Sequence, residues 1–284
     1  MNISNNQTQT AKNLILVLGG TGKTGRRISE RLKAKGVPIR VGSRSALPSF
    51  DWNNPKSWDD CLKDVEAVYM NYTPDLAVPG ATDTIQHFVE RAKYHGVKRL
   101  VLLSGRGEAE AQACEQIVQE SGLEWTIVRA SWFNQNFSEG AFVDMVLSGQ
   151  ITLPAGNIAE PFVDVDDIAN VAVVALMESG HTGEVYEVTG PRLMTFSDIA
   201  TELSKATSRE ITYVQIAHED FIAGITESGA PQEVAWLLDY LFSTVLDGRN
   251  AYLTDGIQRA LGRPPRDFVD YARDVAATGI WHIS

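Results

Sequence analysis

Cysteine is almost missing: Cys61 and Cys114 are the only two in 284 residues. Two thiols build neither a disulfide framework nor a cysteine metal cluster, which points to a reduced, cytoplasmic chain. There the glycosylation sequons at Asn2, Asn71 and Asn136 carry no meaning. No apolar run approaches the roughly 20 residues that cross a bilayer, so no membrane partner is expected. "MNISNNQTQTAK" lacks the apolar stretch of a secretory signal, and residues 1–12 read as a disordered lead-in. Positive charge is also short. Lys and Arg number 25 against 36 Asp and Glu, a net charge of −11. Such a surface repels a phosphate backbone, and no basic stripe with interleaved aromatics offsets it; nucleic acid is not an expected partner. The five histidines (His87, His95, His181, His218, His282) show no ligand spacing, and "DVDD" (164–167) lacks the glycine and distal glutamate of a calcium loop. No metal is expected, and those aspartates read as a helix cap.

What is present is alternation. "LILVL" (14–18), "PIRVGS", "AVYMNY" (67–72), "RLVLLS" (99–104), "WTIVRA" (125–130) and "GEVYEVTG" (183–190) read as strands. Amphipathic stretches separate them: Thr24 to Lys35, "TDTIQHFVERAKYHG", and about Glu108 to Ser121. A further helix opens at Asp166-Asp167, and another spans Thr195 to Ala206. The pattern predicts an α/β chain with a doubly wound parallel sheet. "ITLPAGNIAEPF" reads as a loop. The tail from about residue 190 is helical and aromatic, and reads as a smaller lobe over the carboxyl ends of the strands, where open α/β folds bind ligands. "EVAWLLDYLFSTVL" (233–246) is either core or a dimer face, so a homodimer stays open.

"LGGTGKTG" (18–25) offers two phosphates. A triphosphate loop needs a glycine five residues before its Gly-Lys-Thr, and counting back from Gly22 reaches Val17 inside the strand. The dinucleotide reading survives. Gly19 permits the tight turn, Gly22 lets backbone approach the pyrophosphate, and Gly25 lets the helix pack on the sheet. The pyrophosphate then meets free N–H groups at the positive helix end, with Thr21, Lys23 and Thr24 as nearby side chains. The second strand ends in Ser43, Arg44 and Ser45 with no acid for a ribose 2′-hydroxyl. A guanidinium there suits a 2′-phosphate, so NADP(H) is the expected cofactor.

These residues, with "LVLLSGRG", "SGLEWTIVRASWFNQNF", "PFVDVDDIANVA" and "GEVYEVTGPRLMTFSDIA", resemble the NmrA-like branch of the atypical short-chain dehydrogenases. "FDWNNPKSW", "NYTPDLAVPGA" and "DGRNAYLTDGIQRALGRPPRDF" look most like bacterial relatives of the agroclavine-forming ergot-alkaloid reductases. The resemblance implies a Rossmann domain binding NADP(H) over residues 1–155, with 156–284 holding the remaining Rossmann elements and a smaller C-terminal α/β lobe that binds a small-molecule substrate. It implies that the glycine loop and Arg44 are cofactor ligands. By the same carry-over, Asn71, Tyr72 and Thr73 lie along the cofactor, Asp51 and Trp52 near the adenine, and Ser104 at the nicotinamide ribose. Trp132, Phe133 and Asn136 line the nicotinamide side of the cleft.

Typical members use a Tyr-x-x-x-Lys pair whose lysine lowers the tyrosine pKa, so that it protonates a developing alkoxide. Tyr94 to Lys98 matches that spacing but precedes the strand ending in Ser104, and Gly96 breaks its helix. Where the pair belongs, Ala111 and Glu115 stand instead. Two readings follow. An enzyme reducing a preformed iminium needs no strong acid, and an aromatic wall of Trp132 and Phe133 adds a cation–π term of roughly 0.5–2 kcal/mol. A carbonyl or quinone substrate requires Tyr72, Ser104 or a water as proton donor. The alternative is a non-catalytic NADP(H) redox sensor acting through a protein partner; the resemblance to alkaloid reductases favours the oxidoreductase. Arg106 contacts phosphate or substrate, or is a loop arginine in solvent, and the solvated reading is preferred. Ser104 has no histidine in a recognisable elbow, which argues against a serine hydrolase.

Overall fold

The computed structural model describes residues 13–140 and 142–282; the expected lead-in over 1–12 lies outside them. Strand β1 (Leu14–Leu18) is apolar without alternation because both its faces are covered. Ile15 and Val17 join one core with Ile28 and Leu32, whereas Leu16 and Leu18 join the other with Ile85 and Phe88. The strands that follow are β2 (Ile39–Gly42), β3 (Val65–Met70), β4 (Arg99–Gly105), β5 (Glu124–Ala130), β6 (Gln150–Leu153), β7 (Glu184–Val188) and β8 (Thr212–Gln215). Six of them form one parallel sheet in the order β2-β1-β3-β4-β5-β7. Helices Lys23–Ala34 and Val165–Met177 cover one face, and Trp58–Leu62, Ala81–Tyr94 and Ala109–Gln119 cover the other. This is the doubly wound, Rossmann-type arrangement. The chain steps outward from β1 to β2, then crosses back over β1 to β3. Connections therefore part at the carboxyl ends of β1 and β3 and leave a crevice there.

Helix Val165–Met177 starts earlier than its acidic pair suggests. Asp164 is the cap, in an extended conformation, and its Oδ1 accepts from the Asp166 amide at 2.8 Å. Asp166 and Asp167 already lie in the first turn. Capping needs the side chain just outside the helix, because only there can it reach back to the open N–H groups.

A third, aromatic core holds the small lobe. Phe137, Phe142, Phe162, Phe196, Phe242, Phe268 and Trp281 are all buried in it, drawn from segments on both sides of β7. The lobe has its own two-stranded parallel sheet, β6 with β8. Both strands fall in stretches read above as loop and helical tail. Each has four residues, and Ile151 pairs with Tyr213 across sixty-two positions, a partnership no local pattern announces.

Candidate functional site

Gly19 ends β1 in the left-handed region at φ 62°, and the register that sets Val17 against Tyr69 brings it beside Asn71. A Cβ on Gly19 would fall 2.7 Å from Asn71 Nδ2, and one on Gly25 would fall 2.3 Å from Gly19 O. The loop is thus pressed flat against the helix it opens. Gly22 caps that helix without a side chain, and no acid stands in its first turn. Its amide end is therefore positive and suited to an anion.

Lys23 begins the helix and crosses to the segment after β5, where Nζ donates to Asn136 Oδ1 at 3.2 Å. Burial lowers its pKa against the opposing pull of Glu139. Arg26 and Arg27 both reach Glu139, at 2.6 and 2.7 Å, and fasten the same segment to the helix. The glycine loop and the expected substrate wall are thus one assembly.

Between them lies a cavity of about 360 Å³ at the carboxyl ends of β3, β4 and β5. Lys23, Asn71, Tyr72, Ser104, Trp132, Phe133 and Asn136 all line it. Trp132 serves core and cavity at once, stacking on Phe142 at 6.4 Å and edge-on to Phe242 at 5.2 Å. Phe133 packs against the sheet core beneath. The fourth wall comes from helix Gln232–Tyr240 and the π-turn Leu241–Val245, through Leu237, Leu238, Leu241 and Val245. That segment buries Phe242 and Val245, while Trp236 and Tyr240 stack on each other at 5.4 Å.

Gly19, Thr21, Gly22, Thr24, Gly25, Ser43, Arg44, Asp51, Trp52 and Thr73 lie outside this cavity. Arg44 stands exposed past β2, in a loop folded by Ser43 O accepting from the amides of Ala46 and Phe50. Asp51 is half-buried and accepts from the Asn53 amide. Trp52 is buried, its Nε1 donating to Asn71 O at 3.0 Å, and Thr73 is exposed. Within the cavity, Ser104 is buried with no hydrogen-bond partner for Oγ among the described residues. Tyr72 packs on Trp52, and burial raises its phenol pKa. Ala111 is buried in its helix, and Glu115 accepts from Arg129 Nε at 2.9 Å. Tyr94 is 75% exposed at the far end of its own helix. Among the described residues, no group of three or more His, Cys, Asp or Glu is placed to hold a metal, and no helix is long and apolar enough to cross a membrane.

Residues 19–179 match the model of a family described as NAD(P)H-binding. The chain belongs to that family. Agroclavine dehydrogenase of Claviceps fusiformis is 32% identical over 283 residues, covering 92% of this chain and 96% of that one. Among solved structures, an NADPH-dependent quinone oxidoreductase of Escherichia coli in complex with NADPH superposes with a TM-score of 0.77 at 22% identity, covering 92% and 99%. NmrA, a negative transcriptional regulator in complex with NAD, superposes at 0.69 and 17%, covering 95% and 97%. This member of an NAD(P)H-binding family is thus NmrA-like in fold. Its own residues fit a dinucleotide: a cradle that a Cβ would fill, a bare positive helix end, and the unpartnered Ser104 hydroxyl.

Three residues of the family member's cavity went unread in the sequence, and a fourth, Arg106, was assigned to solvent. Arg106 is not in solvent but 3% exposed, donating to Ser131 Oγ at 2.8 Å and to the carbonyls of Asn250 and Tyr252. Its burial comes from a segment 144 residues away, which no local pattern reveals. Asp75, Glu108 and Glu160 also line the cavity. Glu160 is 1% exposed, with neither carboxyl oxygen hydrogen-bonded among the described residues. Burial pushes it up to about 7, with Arg106 pulling down and Asp247 pushing up.

That shift has a measurable sign. The native state holds this proton at pH values where the unfolded chain has lost it, so the group's contribution to stability falls as pH rises from about 4.5 to about 7. Glu160→Gln removes the effect. Urea midpoints at pH 5 and pH 8 should show the variant gaining on the parent by up to about 3 kcal/mol at the higher pH. Parallel curves would count against a buried, uncompensated carboxylate.

Proposed function

We propose that the chain is an NADPH-dependent reductase of a small molecule carrying a C=N (iminium), C=O or quinone group. One observation carries the reading. Residues expected at the cofactor (Lys23, Asn71, Ser104) and at the substrate (Trp132, Phe133, Asn136) meet in a single cavity, at the crevice where open sheets bind ligands. Bound there, a reduced nicotinamide supplies a hydride. The chain's share is positioning and exclusion of water. Lys23 and Asn136 fix one side of the cavity, Trp132 and the 237–245 segment close the other, and Ser104 and Tyr72 offer hydroxyls to the reacting group. The preference for NADPH rests on Arg44, whose charge suits a 2′-phosphate and whose exposure at the end of β2 leaves it open to one. The names of the alkaloid dehydrogenase and the quinone oxidoreductase support small-molecule reduction. NmrA's role as a regulator supports the rival reading of a cofactor sensor, and the aromatic-walled cavity favours the reductase.

The test uses NADPH deuterated at C4, incubated with the protein and an extract of its host. Deuterium should pass to a metabolite, and the transfer should be lost in Arg44→Ala with NADPH while surviving with NADH. Tight NADPH binding without transfer would favour the sensor. Equal losses with both cofactors would remove Arg44 from the 2′-phosphate.

A further inference from the structure

We infer that Glu108, which shares a single proton with Asp75, is the proton donor of this cavity, and that the site therefore reduces a neutral carbonyl or quinone. The inference rests on the reductase reading above and narrows its substrate class.

The geometry begins with a misplaced cap. Glu108 occupies the N-cap position of helix Ala109–Gln119 in an extended conformation, yet makes no side-chain cap. Its carboxyl turns instead onto Gly105 at the end of β4. A Cβ on Gly105 would stand 2.1 Å from Oε1 and 2.5 Å from Oε2, so only glycine leaves room for the group there. Glu108 is 6% exposed, it lines the cavity with Ser104, and its Oε2 has no hydrogen-bond partner among the described residues. A buried carboxyl oxygen without a partner, at the wall of a ligand cavity, is placed for a ligand atom.

Asp75, from the loop after β3, hydrogen-bonds Glu108 and also accepts from the Ala77 amide at 2.9 Å. Two buried carboxyls in contact cannot both ionise at neutral pH. Burial raises Asp75 as well, but the Ala77 amide bonds its ionised form, so the shared proton rests on Glu108. Burial, then the charges of Asp75, Glu110 and Glu115, hold Glu108 well above the carboxylate range. Of the cavity's cations, Lys23 Nζ is held by Asn136 and the two Nη atoms of Arg106 by Ser131 and the carbonyls of Asn250 and Tyr252; the Arg106 Nε is unpartnered among the described residues, but a guanidinium gives up no proton. Tyr72, raised by burial, is a weak acid here.

The step balances. As hydride joins the acceptor, its oxygen forms a bond to the Glu108 proton while the Glu108 O–H bond breaks. The product is an alcohol or hydroquinone, and the cofactor leaves oxidised. Glu108 and Asp75 are then two facing carboxylates, and their repulsion returns a proton from water to Glu108. A preformed iminium needs no such proton, because hydride addition alone completes it.

That contrast supplies the experiment. NADPH oxidation is followed with 2-methyl-1,4-naphthoquinone and with N-methyl-3,4-dihydroisoquinolinium as acceptors, for the parent, Glu108→Gln and Asp75→Asn. Glu108→Gln should lose on the order of 10²–10⁴-fold with the quinone and keep its rate with any iminium the parent reduces. The parent's quinone rate should fall at alkaline pH as Glu108 ionises. Asp75→Asn should move that fall to lower pH by removing the neighbouring charge. Carbon NMR of side-chain carboxyls in the cofactor-free chain should show, besides Glu160 near 7, a further carboxyl titrating well above the carboxylate range and absent from Glu108→Gln. An unchanged quinone rate in Glu108→Gln, equal losses on both acceptors, or no such carboxyl overturns the inference alone. A parent that binds NADPH yet reduces neither acceptor overturns the reductase reading and this inference with it.

Discussion

Gly25→Val should bind NADPH at least about 100-fold more weakly than the parent, a loss of roughly 3 kcal/mol. The cause is backbone against backbone. The new Cβ would stand 2.3 Å from Gly19 O, 2.7 Å from Gly19 C and 2.8 Å from Gly20 Cα, and none of these atoms can rotate away. Helix Lys23–Ala34 must back off, widening the gap between its amide end and the glycine loop, where the pyrophosphate is expected. Forced overpacking of this kind also costs stability, about 1–3 kcal/mol. Gly36→Ala is the control. Gly36 also has a left-handed φ, 73°, but open space where its Cβ would go. That variant should lose about 1 kcal/mol of stability with its affinity unchanged. Fluorescence titration with NADPH and thermal melts of all three proteins check the pair. Affinity within a few-fold of the parent in Gly25→Val would show that the loop does not hold the cofactor.

Arg106→Ala should be the most destabilising change at the cavity, by about 3–5 kcal/mol. The guanidinium is buried, stacked at 4.5 Å over Tyr252, and 3.7 Å from Glu187. Asn250 returns the favour by donating Nδ2 to Arg106 O at 3.2 Å. Truncation leaves the carbonyls of Asn250 and Tyr252 and the Ser131 hydroxyl without this donor, and frees the 249–252 segment from the end of β4. Melting should fall by roughly 5–15 °C. Arg106→Lys should recover little, because a compact ammonium cannot span the acceptors that the two guanidinium nitrogens reach. Glu160 would also lose the positive charge that restrains its pKa, so its titration should move above about 7. A melting temperature unchanged in Arg106→Ala would mean that water replaces the guanidinium.

Much of the fold was legible because it is written locally. A continuous apolar run such as Leu14–Leu18 followed by spaced glycines announces strand, turn and helix within a dozen residues. The glycine loop was readable for the same reason, whereas Asn136 came from the resemblance and not from a local pattern. What escaped depends on distant partners. β6 and β8 are short, and each becomes a strand only through the other. Asp164 outcompeted Asp166 and Asp167 as the cap through backbone conformation, which composition does not encode. Asp75, Glu108 and Glu160 were invisible as site residues, and Arg106 was assigned to solvent over a ligand contact, because a charged side chain in sequence reads as surface. Only the folded chain shows that these four line a cavity.

The order of pairing in the sheet has a consequence for the chain as it is made. β5 ends at Ala130, but the strand that completes its pairing, β7, begins at Glu184 after the first excursion through the small lobe. At about 5–20 residues per second, translation spends roughly 3–12 s between those points. Throughout that interval the growing chain holds at most five sheet strands, with Thr126 to Ala130 as a bare apolar edge. Such an edge recruits other strands. A chain stalled before β7 has emerged would therefore present β5 as an open edge, which β7 covers once it is free to pair.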